Sequence, residues 1–392
     1  MIKFAVVGVG RMGTVHALNL YFGRVRGASL YAVCDTDPTA LEKARRRFPR
    51  AKAFADTESM LADGGIQAVV VATPHYSHAD IAVACLEKGV HVLVEKPLAV
   101  TELQAQRIVD ASERSRNAVA AVMLNQRTNP LYRRARELVR SGELGEIQRA
   151  QFVITDWYRS QAYYNQGGWR ASLCGEGGGT LINQCVHQLD VLQWILGMPR
   201  AVEAKMYTKG RDITTENDVT ADFDYGDGVH CVFVASTHEL HGSNRLEIAG
   251  TRGRIVVDGL RMKVLKLRKD ERTVNAETVK GYGKVGCRTY RYDHRAGFAL
   301  GFLRGGQQRN ILVNFAAAIA GRAELISPLA DGLNSVRMIN ATYASGWTGE
   351  RVGIPVSPEG YEIMLEEKRQ QERAAKAAVC RPAETDKRED KQ

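Results

Sequence analysis

The sequence predicts an α/β chain whose first part is a doubly wound parallel sheet and whose second part is an α+β arrangement rich in antiparallel strands. Apolar β-type runs at residues 4–7, 29–34, 67–72 and 92–94 alternate with helical stretches, as strands joined by crossover helices do. The first run passes directly into Gly8-Val9-Gly10-Arg11-Met12-Gly13. Beyond residue 145 short runs divided by turn residues replace that rhythm, as in hairpins.

With 392 residues the chain suits about two domains, and its 44% hydrophobic and 25% charged residues are those of an ordinary globular protein. No run of 18 apolar residues and no leader pattern is present, so a cytoplasmic protein that neither spans nor enters a membrane is expected. Seven scattered cysteines without paired spacings suit reduced thiols, with no disulfide and no metal site expected. The net charge of +10 is concentrated at residues 261–295, where eleven Lys/Arg face four Asp/Glu. Without a helix-turn-helix, zinc finger or stacking module beside it, that segment reads as a solvated basic connection and no nucleic acid is expected.

In the first part the glycines sit between a strand and a helix, the context a dinucleotide site needs. Gly8 allows the tight turn, Gly10 lets backbone approach a pyrophosphate, Gly13 lets the helix pack close, and the amides around Arg11 and Met12 hold the phosphates. Asp35 ends the second strand, 22 residues past Gly13. It would accept from an adenosine ribose hydroxyl and repel a 2′-phosphate, favouring NAD over NADP. Together these read as a Rossmann unit. The third strand ends in Thr73-Pro74-His75, and the fourth, Val92-Leu93-Val94, ends in Glu95-Lys96-Pro97. Lys96 thus stands at a strand's carboxyl end, where such sheets bind ligands; a solvated lysine in a strand-ending turn is the plainer alternative.

In the second part, residues 132–141 read as an amphipathic helix closed by Gly142, after Asn125-Gln126-Arg127. A strand follows at 148–154, then hairpins at 219–237 and 245–257. Residues 156–170 form an aromatic loop with Trp157, Tyr158, Tyr163, Tyr164 and Trp169, interleaved with Arg159 and Arg170. Aromatic faces and arginine donors suit a carbohydrate, though the same residues could pad an interface. Glu176-Gly177-Gly178-Gly179 then enters a helix that would align Asn183, His187 and Asp190 on one face, spaced i, i+4, i+7. His187, with an unperturbed pKa near 6.5, is a competent base. Residues 315–319 and 331–344 read as helices, 361–378 as a solvated helix, and 380–392 as disordered.

Ala72-Thr73-Pro74 with His78, the Glu95-Lys96-Pro97 run, and the glycine-led helix of Asn183 and His187 resemble the Gfo/Idh/MocA family of sugar and cyclitol oxidoreductases. The resemblance covers roughly residues 1–356 and implies a dinucleotide-binding domain over 1–124. A substrate and oligomerisation domain with a largely antiparallel open sheet would follow over 125–356, and 357–392 would be a charged helix and tail. It implies NAD bound near Gly8, Gly10, Arg11, Met12, Gly13, Asp35, Thr73, Pro74, His75, His78, Glu95 and Lys96. A sugar would lie against Asn125, Arg127, Trp157, Tyr158, Tyr163, Tyr164, Trp169, Arg170, Asn183 and His187. Lys96 would be catalytic or substrate-orienting, with His187 and Asn183 beside it, and a cis peptide at Pro97 becomes more frequent than usual. Two departures stand out: Asn183 where the family has Asp, and Cys185 where it has Gly. An amide cannot take up a proton, so a relay through position 183 is in doubt. The implied activity is oxidation of a secondary hydroxyl by a homodimer or homotetramer. Elimination of a glycosidic substituent through transient oxidation, or dinucleotide sensing without turnover, are the rival expectations.

Overall fold

The computed structural model describes residues 1–379 apart from Arg116, Gly167 and Lys284; the tail expected to be disordered lies outside them. β1 (Ile2–Val7), β2 (Ala28–Cys34), β3 (Lys52–Phe54), β4 (Ala68–Val71), β5 (His91–Val94) and β6 (Ala120–Val122) form one parallel sheet in the order β3-β2-β1-β4-β5-β6. Every residue of β4 is buried, as expected of a central strand covered on both faces, and so its sequence is a continuous apolar run. The strand order reverses between β1 and β4, which opens a crevice at their carboxyl ends.

The second sheet has nine strands. They are β7 (Ile147–Ile154), β8 (Ala201–Tyr207), β9 (Asp218–Gly226), β10 (Val229–Ser236), β11 (Asn244–Gly250), β12 (Gly253–Asp258), β13 (Arg261–Leu267), β14 (Cys287–Asp293) and β15 (Val352–Gly353). Their order is β14-β13-β12-β11-β7-β10-β9-β8-β15, antiparallel throughout except between β7 and β10. On its buried face Phe152, Phe223 and Phe233 meet edge-on beneath the helices Val186–Leu196 and Leu329–Thr348.

Three expectations are corrected here. The basic segment 261–295 is not a connection: β13 pairs with β12, and β14 with β13, extending the sheet at its edge. Alternation of residues such as Met262 and Val264 with Arg261 and Lys263 puts apolar side chains on one face and charge on the other, as a strand requires. The helix Pro358–Val379 is not merely solvated, because Tyr361 and Leu365 enter the core and Tyr361 stacks on Trp347. Finally, the late helix Gly306–Ile319 returns to the first sheet, where Phe315 meets Phe4 edge-on. Among the described residues no helix is long and apolar enough to cross a membrane.

Candidate active site

A cavity of about 620 Å³ runs along the carboxyl ends of β1, β2, β4 and β5 and is closed on its far side by residues 157–187. At one end the chain leaves β1 at Gly8, whose φ is +85° and whose position leaves a Cβ only 2.6 Å from the Ala72 carbonyl oxygen. Gly10 precedes the helix Arg11–Tyr21, and nothing lies within 4 Å of where its Cβ would be. A Cβ on Gly13 would fall 1.7 Å from the Gly8 carbonyl oxygen, so only glycine lets the helix approach the turn. Asp35 Oδ2 accepts from the Val9 amide at 2.8 Å and Oδ1 from the Asp37 amide at 2.9 Å, which points its carboxylate at the turn. An open helix N-terminus with an acid beside it fits a dinucleotide: amides for the pyrophosphate, carboxylate for the ribose.

At the other end stands Lys96, followed by a cis peptide to Pro97. Its Nζ donates to the Asn183 carbonyl at 2.8 Å and to Asn183 Oδ1 at 3.2 Å. Its backbone amide donates to Glu95 Oε2 at 3.0 Å, and Glu95 Oε1 meets His16 Nε2 at 2.7 Å, with both side chains buried. Burial opposes ionisation of Glu95, yet the His16 hydrogen bond and the nearby Lys96 ammonium hold it below the usual carboxylate range. Burial lowers the Lys96 pKa; Glu95 and Glu176 oppose that, while Arg170 and Arg159 add to it. His187 lines the same cavity. Burial and the Lys96 charge push its pKa from the expected 6.5 down to about 3, so the imidazole is a neutral acceptor throughout the ordinary pH range.

The far wall is held by its own side chains. Arg170 lies over the rings of Trp169 and Tyr163 at 4.5 and 4.8 Å, and Arg159 lies 4.9 Å from the Tyr163 ring. Tyr163 Oη accepts from Arg170 Nη1 at 3.1 Å and from Gln184 Nε2 at 3.3 Å. Trp169 meets His75 edge-on at 5.9 Å, joining this wall to the first sheet. His75 Nδ1 is 2.8 Å from the Glu176 carbonyl oxygen; a carbonyl only accepts, so Nδ1 carries the proton.

Of the residues named from sequence, Gly8, Gly10, Arg11, Met12, Asp35, Thr73, Pro74, His75, Glu95, Lys96, Asn125, Trp157, Tyr163, Trp169, Arg170, Asn183 and His187 line the cavity. Five do not. Gly13 packs behind the turn. His78 is buried with its ring nitrogens 2.9 Å from the carbonyls of Pro97 and Thr73, a brace between two loops. Arg127 is 1% exposed and clasped by Asp190 and Asp331. Tyr158 is 40% exposed, and Tyr164 is buried with its hydroxyl on Thr237.

The expected single helix is also corrected. It breaks into Thr180–Asn183 and Val186–Leu196, with the Cys185 amide donating to the Thr180 carbonyl five residues back, a π-type bond of the kind found where helices are adapted to sites. Asp190 therefore serves Arg127 and Gln193 rather than His187. Sequence reasoning missed His16, whose position eight residues past Gly8 carries no signal without the sheet, and Gln184 and Gln308, which reach the cavity only through tertiary packing. Glu176, at the head of the glycine run, reaches Asn183 only through the fold, and its place in the sequence carries no sign of that contact.

Two family models match this chain: the Gfo/Idh/MocA oxidoreductase family, NAD-binding Rossmann fold, over residues 2–123, and the Gfo/Idh/MocA C-terminal domain over residues 132–256. Myo-inositol 2-dehydrogenase of Thermotoga maritima is 25% identical over 278 residues, 69% of this chain and 79% of its own length. Levoglucosan dehydrogenase of Pseudarthrobacter phenanthrenivorans is 26% identical over 324 residues, 72% of this chain and 82% of its own. Among solved structures, the WlbA dehydrogenase of Bordetella pertussis in complex with NADH and UDP-GlcNAcA is 25% identical, with a TM-score of 0.78 over 91% of this chain and 98% of that one. A levoglucosan dehydrogenase in complex with NADH and levoglucosan is 25% identical, with a TM-score of 0.74 over 90% and 99%.

Proposed function

This chain belongs to the Gfo/Idh/MocA family of NAD-dependent oxidoreductases, and from that premise we propose that it oxidises a secondary hydroxyl of a sugar, glycoside or cyclitol. The observation that carries the reading is the convergence of Lys96, His187 and the Gly8–Gly13 turn on one cavity. Neutral His187 takes the hydroxyl proton, and Lys96 donates a hydrogen bond to the oxygen as negative charge develops on it. The imidazolium that forms is disfavoured by burial and by Lys96, so the alkoxide beside it must balance that charge. Bound NAD supplies the acceptor for the hydride leaving the carbon. Asn183 orders Lys96 through Oδ1 and gives one Nδ2 hydrogen to Glu176, which leaves its second Nδ2 hydrogen to position a neighbouring hydroxyl.

For the substrate we favour a glycoside, oxidised at the 3-position of a glucoside, over a bare cyclitol. Trp157, Tyr163 and Trp169 supply an apolar wall for a substituent or second ring. With Tyr158 and Tyr164 turned away from the cavity, that support is narrower than five aromatics implied. The reading divides the chain into a dinucleotide unit over 1–124, a substrate and oligomerisation unit over 125–356 and a terminal segment over 357–392, with the helix Gly306–Ile319 packed back on the first unit and Tyr361 and Leu365 on the second. A homodimer or homotetramer is the assembly that goes with this reading, and light scattering checks it.

Incubation with NAD and a panel of glycosides, free sugars and inositols tests the activity. Growth of reduced-nicotinamide absorbance with a glycoside is expected. Binding without turnover across the panel would favour a sensor, and aglycone release without net NADH would favour oxidation-assisted elimination. A far higher kcat/KM for myo-inositol than for any glycoside would overturn the substrate preference alone.

A further inference from the structure

Asn183 stands where the resembled pattern has an acid, yet a carboxylate is present one contact away. Glu176 is 2% exposed. Its Oε1 accepts from Asn183 Nδ2 and its Oε2 accepts from the Ala171 amide at 2.7 Å, while Arg170 Nη1 stands 3.9 Å from Oε1. At the other end of the same amide, Asn183 Oδ1 accepts from Lys96 Nζ at 3.2 Å. Burial raises the Glu176 pKa, while the Ala171 amide, Arg170, Lys96 and Asn183 oppose that; an ammonium only donates, so with Lys96 on Oδ1 the Asn183 Nδ2 faces Glu176 and the amide has a single orientation.

We propose that Glu176 is the positioning acid of Lys96, acting through Asn183 and supplying the negative charge that position 183 lacks. Two Nζ hydrogens of Lys96 are taken by the Asn183 carbonyl and Oδ1, and the third is left for the substrate oxygen. An aspartate at 183 would set two carboxylates in contact in a buried site, where one of them would keep its proton. The chain therefore carries a charge swap, with the amide beside the lysine and the acid behind the amide. The catalytic part of this statement rests on the dehydrogenase reading above; the Lys96–Asn183–Glu176 connection does not.

The groups facing Lys96 give the sign of the effect. Glu95, at the end of β5, and Glu176 favour the ammonium, whereas burial and the arginines Arg170 and Arg159 on the opposite loop disfavour it. His75 and His187 are buried with lowered pKa values and add no positive charge. Removing the Glu176 charge while keeping its shape should make Lys96 lose its proton at lower pH.

The full chain, without cofactor, is labelled with carbon-13 at lysine Cε, and the Lys96 resonance is assigned by its loss in Lys96→Arg. Glu176→Gln should lower the Lys96 pKa by about one unit, and the alkaline limb of kcat/KM by about the same amount, with NAD affinity by calorimetry within about twofold of wild type. The swapped variant Glu176→Gln/Asn183→Asp keeps one acid and one amide in contact and should return both titrations toward the wild-type values. A purely structural Glu176 would lower stability or turnover without moving the lysine. An unshifted Lys96 titration in Glu176→Gln overturns the proposal. So does a swapped variant whose Lys96 titrates about a unit or more below wild type, and that variant decides the matter if Glu176→Gln alone does not fold. If the lysine shifts as stated but no sugar is oxidised by the wild-type chain, the positioning role stands and the proposed activity falls.

Discussion

The two walls of the cavity are built by different physics. On the side of the six-stranded sheet the wall is largely backbone: a glycine at φ +85°, a helix N-terminus and strand ends set by β-pairing. On the opposite side it is long side chains holding one another, with Arg159 and Arg170 laid over Tyr163 and Trp169. A backbone wall tolerates little change because its geometry is shared by every strand that supports it. A side-chain wall can be altered one residue at a time. Under the proposed reading, the cofactor and Lys96 belong to the first wall, and the fit of the substrate to the second.

The largest expected effect is on the first wall. Lys96→Ala should lower kcat by roughly 10²–10³-fold, as loss of a donor to a developing oxyanion does, and should leave NAD affinity within about a few fold. Turnover at the wild-type rate would take Lys96 out of the chemistry and leave the first wall as scaffold only.

Arg127 belongs to neither wall, and Arg127→Ala should cost about 3–5 kcal/mol of stability, because it strands Asp190 and Asp331 in or near the core. Urea unfolding measures this. A variant of wild-type stability with weakened sugar binding would return Arg127 to the substrate wall.

Asp35→Ala should weaken NAD by roughly tenfold and narrow the preference over NADP, since a charged hydrogen bond to the ribose contributes about 1.5–3 kcal/mol at most. Calorimetry with both dinucleotides checks it; a wild-type preference for NADP would contradict the assignment. Trp157→Ala should raise KM several-fold with kcat nearly unchanged, the pattern of lost uniform binding worth about 0.5–1.5 kcal/mol. If kcat falls in step with kcat/KM instead, the second wall takes part in the transition state and the division between the walls fails.

The smallest expected effect is a flat acid limb. With its pKa held at about 3 by burial and Lys96, His187 keeps its neutral, proton-accepting form as pH falls below 6.5 and gains a proton only near 3. From pH 7 to 5.5, kcat/KM should therefore fall less than about twofold, where a histidine of ordinary pKa would lose roughly tenfold. A limb near 6.5 would contradict the lowered pKa of His187.

The first sheet was legible because its signals are local. Strand runs, glycine spacing and the distance to Asp35 are properties of neighbouring residues, and they determined the turn, the crevice and the place of Lys96 before any packing was known. The nine-stranded sheet was only half legible: its hairpins around β9–β10 and β11–β12 showed, but the charge of residues 261–295 hid the alternation that makes β13 and β14 strands.

What the sequence by itself determined, then, is the dinucleotide turn, the lysine at a strand end and the approach of a histidine-bearing helix, since each follows from spacing along a few turns or strands. Only the tertiary structure decided that Arg127 is a clasp between Asp190 and Asp331, that Glu176 reaches Asn183 and that His187 is a buried, neutral imidazole. Those outcomes depend on desolvation and on pairs brought together from as far as 204 residues apart, and neither is written in any local pattern.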